Sequence, residues 1–284
     1  MTAVLIRRLA TLVVLTALYP VVARASESND PNAGKIGGLA EATHGNSFLK
    51  NLSAYKPAYF LIGPSPFDAK FQISFKYRLF GRGGKDQRSG FSLHNFFFAY
   101  TQTSLWDLHA PSAPFTDTSF RPEFFYRTHL TTLAFHNADV ALQFGAFHES
   151  NGKGGADSRS YNAIYVKPGV AVPFDDGNLI LTVAAQFWQY VGSRSDNPDI
   201  ADYRGHASLL TSFGDPHGLM VTTQLRGSFS SGKGNLRADA SYPLKEFLGL
   251  GLYAYAQVYH GYAEDLLGYN KKDTRFRVGV ALTR

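Results

Sequence analysis

Hydrophobic and polar residues alternate with a period of two along much of the chain. Phe71, Ile73, Phe75, Tyr77 and Leu79 alternate with Gln72, Ser74, Lys76 and Arg78. Leu250, Leu252, Ala254, Ala256 and Val258 alternate with Gly251, Tyr253, Tyr255, Gln257 and Tyr259, and Phe276, Val278, Val280 and Leu282 with Arg275, Arg277, Gly279 and Ala281. This period predicts β-strands, because successive side chains leave a strand on opposite faces. Segments of this kind begin near Ala58, Ala69, Ser92, Phe120, Asp139, Ser158, Asn178, Ile200, Gly218, Lys233, Gly249 and Arg275. Gly81-Arg82-Gly83-Gly84-Lys85 and Asp175-Asp176-Gly177-Asn178 read as turns between them.

The N-terminus breaks this pattern. Arg7-Arg8 precedes an apolar run from Leu9 to Val22, and Ala23-Arg24-Ala25 forms a small-residue cleavage site before polar Ser26. The arrangement predicts a secretory signal over 1–25. The run is short of the ~20 residues a spanning helix needs, and Pro20 interrupts it. Residues 26–57 read as a polar, flexible lead-in, and 58–284 as one domain. An exported chain without a later long apolar run enters a membrane only as a closed barrel, where strands satisfy every backbone group. The fold expected is therefore all-β: a transmembrane antiparallel β-barrel of about 12 strands, apolar outside and polar inside. A soluble sandwich also alternates, but the export signal and the length of the segments favour the barrel.

Composition agrees. Aromatic residues make up 14% of the chain and charged residues only 18%, against the ~25% charge usual for soluble domains. The net charge is +6, and Arg7, Arg8 and Arg24 account for three of those positives. The remainder is too weak and scattered for a nucleic-acid partner. With no cysteine, disulfides and thiolate metal sites are excluded.

One segment violates the face rule. In Val140–Ser150 the outward set Val140, Leu142, Phe144 and Ala146 continues into His148 and Ser150. On the next strand Asn162 shares the parity of Ile164 and Val166. Three polar residues thus fall on the lipid-facing side, where polar groups are costly and tend to be functional. Serine needs a base to become a nucleophile, histidine can be that base, and asparagine can fix its tautomer. The residues alone leave open a polar strand end at the membrane boundary, on a pore or structural barrel.

The string His148-Glu149-Ser150-Asn151-Gly152, followed by Ser158-Arg159-Ser160-Tyr161-Asn162, closely resembles the signature of the outer-membrane phospholipase A family. Further similar stretches include Ala99–Ser104, Ser112–Phe115, Asn197–Ile200, Gln257–Tyr262 and Asp265–Asn270. The resemblance implies hydrolysis of phospholipid acyl esters in the bacterial outer membrane, at a site near the outer leaflet. It implies a catalytic triad of His148, Ser150 and Asn162, with the backbone N–H groups of Ser150 and Gly152 toward the oxyanion. It also implies Ca2+, held by the Ser158 hydroxyl, the Lys153 carbonyl and the carbonyl of Ser112 from a second subunit. The active form would then be a homodimer, with Gln102 hydrogen-bonded across the interface.

Overall fold

The computed structural model describes residues 47–64, 67–81 and 91–284. The export signal, the lead-in up to residue 46 and the turn residues Arg82 to Lys85 lie outside the described residues. Thirteen strands follow in order: β1 (Leu52–Ala54), β2 (Ala58–Pro64), β3 (Phe67–Arg78), β4 (Phe96–Asp107), β5 (Phe115–Leu133), β6 (Ala138–Ser150), β7 (Ser160–Phe174), β8 (Leu179–Val191), β9 (Ala207–Gly214), β10 (Met220–Gly227), β11 (Gly234–Pro243), β12 (Tyr253–Tyr262) and β13 (Lys272–Thr283). Each strand from β2 onward pairs antiparallel with its successor. The ring closes where β13 meets β2, with Val278 opposite Ile62 and Val280 opposite Phe60. Twelve strands therefore form a barrel without a free edge, as the hydrocarbon region demands. Among the described residues no helix is long and apolar enough to cross a membrane.

Two expectations are corrected. The lead-in is not featureless to residue 57. Ser47–Asn51 forms a helical turn, and β1 pairs with the far half of β3 through Ser53 opposite Lys76. Between β1 and β2 the chain dips into the lumen, where Tyr55 donates to Glu123 Oε1 at 2.9 Å and stacks on Phe125. The strand expected from Ile200 begins instead at Ala207, because Ile200–Arg204 is a short helix whose Ile200 and Arg204 are both buried. Asp175–Gly177 is the expected tight turn.

Alternation assigns the faces. Val258, Phe276 and Val278 are about half exposed on the outer wall, whereas Gln257 and Arg277 are each 1% exposed inside. The lumen is crossed by bonded polar groups. Arg277 Nη2 lies 2.6 Å from Asp68 Oδ2, and its Nη1 lies 2.6 Å from Glu264 Oε1. Lys70 Nζ donates to Gln257 Oε1 at 2.9 Å and to Glu264 Oε1 at 3.0 Å. Burial works against the charge of Glu264, in the loop after β12, but Lys70 and Arg277 hold its carboxyl down at about 2. Cavities of about 600 Å³ and about 670 Å³ remain. This is a filled interior rather than the open channel of a wide porin.

Candidate active site

The loops 108–114, 151–159, 192–206 and 263–271 gather at one end of the barrel. The β6–β7 hairpin reaches this end with His148 opposite Asn162 and Ser150 opposite Ser160. Phe147, Glu149, Tyr161 and Ala163 are buried on the lumen side. His148, Ser150 and Asn162 therefore share the outer face, as the parity predicts. His148 Nδ1 lies 2.9 Å from Asn162 Oδ1. An amide oxygen at that distance accepts from Nδ1–H, which leaves the Nε2 lone pair free to act as a base. Ser150 stands one pleat further along, roughly 7 Å on by strand rise. Among the described residues no hydrogen bond joins its Oγ to His148. The structure brings His148 and Asn162 together and sets Ser150 on the same face beside them.

The loop after Ser150 is folded by Asn151. Its buried side chain donates to the Asp157 carbonyl at 2.9 Å and accepts from the backbone N–H groups of Arg159, at 3.0 Å, and Lys153, at 3.3 Å. The next residue, Gly152, adopts φ +67°, and a Cβ there would lie 2.9 Å from Phe120 Cε2. Phe120 is itself in register with Ser150. Glycine is thus required both by the left-handed backbone and by the ring beside it.

The candidate cation donors are oxygens. Among the described residues no cluster of three or more His, Asp or Glu could hold a metal, so a site here would rest on hydroxyl and carbonyl groups. Ser158 Oγ donates to Asp196 Oδ2 at 2.6 Å. Lys153 turns its ammonium toward the Thr116 carbonyl at 2.8 Å, which leaves its own carbonyl in the loop. Ser112 lies in the separate β4–β5 loop at φ +65°. No hydrogen bond joins it to Lys153 or Ser158 among the described residues. An oxygen set with one carboxylate suits a hard ion such as Ca2+. Asp196, which touches candidate donor Ser158, is a neighbour that sequence reasoning misses. It lies in a polar stretch 38 residues from Ser158, and local pattern carries no signal of that contact.

Gln102 faces outward on β4. Tyr100 OH donates to its Oε1 at 3.0 Å, and its Nε2 is 3.5 Å from Ser104 Oγ. Its register partner on β5 is Phe120, which pairs in turn with Ser150. Gln102 therefore stands in the same row as the serine, two strands and about 10 Å away.

Known proteins resemble this chain in sequence and fold. The family model described as Phospholipase A1 matches residues 42–282. The Phospholipase A1 of Klebsiella pneumoniae is 32% identical over 220 residues, which cover 76% of this chain and 70% of that protein. The Phospholipase A1 of Escherichia coli K12 is 32% identical over 222 residues, covering 76% and 69%. Among solved structures, outer membrane phospholipase A from Escherichia coli superposes with a TM-score of 0.67 at 26% identity, covering 82% of this chain and 95% of that one. The Salmonella typhi outer membrane phospholipase dimer with bound calcium gives 0.67 at 27% identity, covering 82% and 92%. The twelve-stranded wall, the outward histidine–asparagine pair and these likenesses agree: the chain is an outer-membrane β-barrel phospholipase and belongs to the phospholipase A1 family.

Proposed function

We propose that this phospholipase cleaves acyl esters with Ser150 as nucleophile, His148 as base and Asn162 as orienter. The observation that carries the reading is the 2.9 Å His148–Asn162 bond on the outer wall, in line with Ser150. His148 Nε2 takes the Ser150 proton as Oγ attacks the ester carbonyl carbon. It returns that proton to the departing alcohol oxygen of the lysophospholipid, leaving an acyl-serine. Water, deprotonated by the same Nε2, then attacks the acyl carbon; the bond from that carbon to Ser150 Oγ breaks, Oγ takes the proton back from Nε2, and the fatty acid leaves. Asn162 keeps the ring in the productive tautomer but adds no charge to steady the imidazolium. The N–H of Gly152, which lies beyond the strand ladder, and that of Ser150 face the oxyanion.

The Ser158 hydroxyl and the Lys153 carbonyl would hold Ca2+, with the Asp196 carboxylate beside them, and a second copy would add the Ser112 carbonyl. An ion bound there would supply positive charge to the developing oxyanion. The calcium-bound dimer of the Salmonella typhi relative supports a role for calcium and for a second copy. Gln102, in the row of the serine, is the contact we assign to the homodimer. Polar bonds in lipid contribute only about 0.6–2 kcal/mol, so association is weak and reversible. If the chain ends lie on the periplasmic side, the loop 151–159 opens at the outer leaflet.

The test is phospholipid hydrolysis by the purified chain with calcium and with chelator, beside Ser150→Ala. Activity that needs both calcium and Ser150 is expected. Retention of a tenth of the rate by Ser150→Ala defeats the nucleophile assignment, and full rate in chelator defeats the calcium assignment.

A further inference from the structure

Behind the outward triad lies a charged network that the mechanism above does not use. Glu149 sits between His148 and Ser150 in sequence, and alternation sends it into the lumen, where it is buried. Tyr161, next to Asn162, is its cross-strand partner, and its OH donates to Glu149 Oε2 at 2.6 Å. Arg204, the last residue of the short helix Ile200–Arg204, joins both. Its Nη1 donates to Glu149 Oε1 at 2.9 Å and to Tyr161 OH at 2.7 Å. Ser119 on β5 donates to the same Oε1 at 2.8 Å, and Arg121 Nη1 is 3.6 Å from Oε2. One carboxylate therefore gathers β5, β6, β7 and the loop 192–206.

That loop holds the hairpin at two further levels. Asn197 Oδ1 accepts from the Ser160 N–H at 2.8 Å, and Asp196 accepts from Ser158 as described. The helix that presents Arg204 ends at Gly205, at φ +67°, where a Cβ would lie 1.6 Å from the Gly227 carbonyl oxygen. The chain can turn there only without a side chain.

The placement bears on the reaction. Glu149 and Tyr161 are the inward residues between the outward pairs His148–Asn162 and Ser150–Ser160. A change of twist at this rung alters the angle between its two outward neighbours, which on β6 are His148 and Ser150. Misplacement of reacting groups by about 1 Å can cost 10²-fold in rate. For stability alone, apolar residues of similar volume often serve a buried site as well as an ion pair does.

We propose that Glu149, Tyr161 and Arg204 are positioning residues: a clamp on the lumen side that fixes the twist of the β6–β7 hairpin and so the alignment of Ser150 with His148. The proposal rests on the triad reading given above.

The test compares the full chain in calcium-containing micelles with Ser150→Ala, Arg204→Met, Arg204→Lys and Tyr161→Phe. The readouts are kcat, KM, the heat-dependent gel migration that reports an intact barrel, and the His148 imidazole ¹⁵N resonances. Arg204→Met should lose about tenfold or more in kcat, with KM within about twofold and the barrel intact. Arg204→Lys, which keeps one charged donor, should return to within about threefold of wild type. Tyr161→Phe should lose severalfold in kcat and shift the His148 resonances while leaving ring packing in place. If Arg204→Met does not fold, Tyr161→Phe alone decides. Full kcat in the folded variants, or losses carried in KM with unmoved His148 resonances, overturns the clamp. An inactive Ser150→Ala beside fully active Arg204→Met and Tyr161→Phe removes the clamp alone. An active Ser150→Ala removes the triad reading itself.

Discussion

Gly152→Ala isolates the geometry of the loop beside the nucleophile, because it leaves every backbone donor in place. Two costs follow from the structure. An alanine held at φ +67° pays about 1–2 kcal/mol for the left-handed conformation. Its Cβ, 2.9 Å from Phe120 Cε2, pushes against a ring in register with Ser150. If the chain escapes by flipping the peptide, the N–H of residue 152 leaves the position proposed to face the oxyanion. At 1.4 kcal/mol per tenfold, the backbone term alone lowers the population of the competent loop by roughly 5–30-fold. The loss belongs to kcat, since the displaced N–H is the one proposed to serve the oxyanion. The control is Gly154→Ala. Gly154 sits at φ −111°, and a methyl group there would meet nothing within 4 Å, so this variant should stay within about twofold of wild type. The assay is release of a chromogenic acyl ester in calcium-containing micelles, with intact barrel quantified by heat-dependent gel migration. A Gly152→Ala enzyme above half the wild-type kcat, or a Gly154→Ala enzyme equally impaired, refutes the reasoning.

Other outcomes follow from the same geometry. His148→Ala should lower kcat by about 10²–10⁴-fold, the usual worth of a general base, and Asn162→Ala by at least about tenfold less; equal losses at equal barrel content contradict the assigned roles. Asp265, in the loop after β12, has its carboxyl pushed up by burial and by the nearby Asp117 and Glu264. A raised folded pKa means the charged form weakens the fold at neutral pH, and the penalty fades as pH falls through that pKa toward the ordinary carboxylate range. Asp265→Asn should therefore raise the urea midpoint at neutral pH and bring no gain under acid conditions; a lowered midpoint at pH 7 counts against it. Arg277→Met strips a shared partner from Asp68 and Glu264 and should cost about 3–5 kcal/mol, as breaking buried ion pairs does; a urea-unfolding change under about 0.5 kcal/mol, typical of surface positions, refutes it.

The barrel and the candidate catalytic face are legible in the sequence because both depend on parity. A period of two needs only neighbouring residues, and His148, Ser150 and Asn162 stand out by breaking it. The helix at Ile200–Arg204 is not legible, since Ile200, Ala201 and Tyr203 fit a strand as well as a helix. Its true state is fixed by burial of Ile200 and by the reach of Arg204 to Glu149, 55 residues away. Tyr55 escapes for a similar reason. A polar flank gives no sign that one aromatic will cross the lumen to Glu123. Parity marks Glu149 as inward and charged, but which cation meets it depends on where a distant loop folds back. Asp196 is hidden on the same ground.

The outer-wall position of His148 and Asn162 also changes what concentration means for this enzyme. A cleft that opens to water samples its ligand in three dimensions, and its half-saturation point is a molarity. A reactive face on the side of a barrel is visited by molecules gliding past within a film one lipid deep. Encounter is then governed by lateral diffusion, and the relevant variable is the mole fraction of phospholipid around the barrel. Adding inert detergent at constant bulk lipid should slow turnover, whereas doubling the water volume at constant film composition should leave it unchanged.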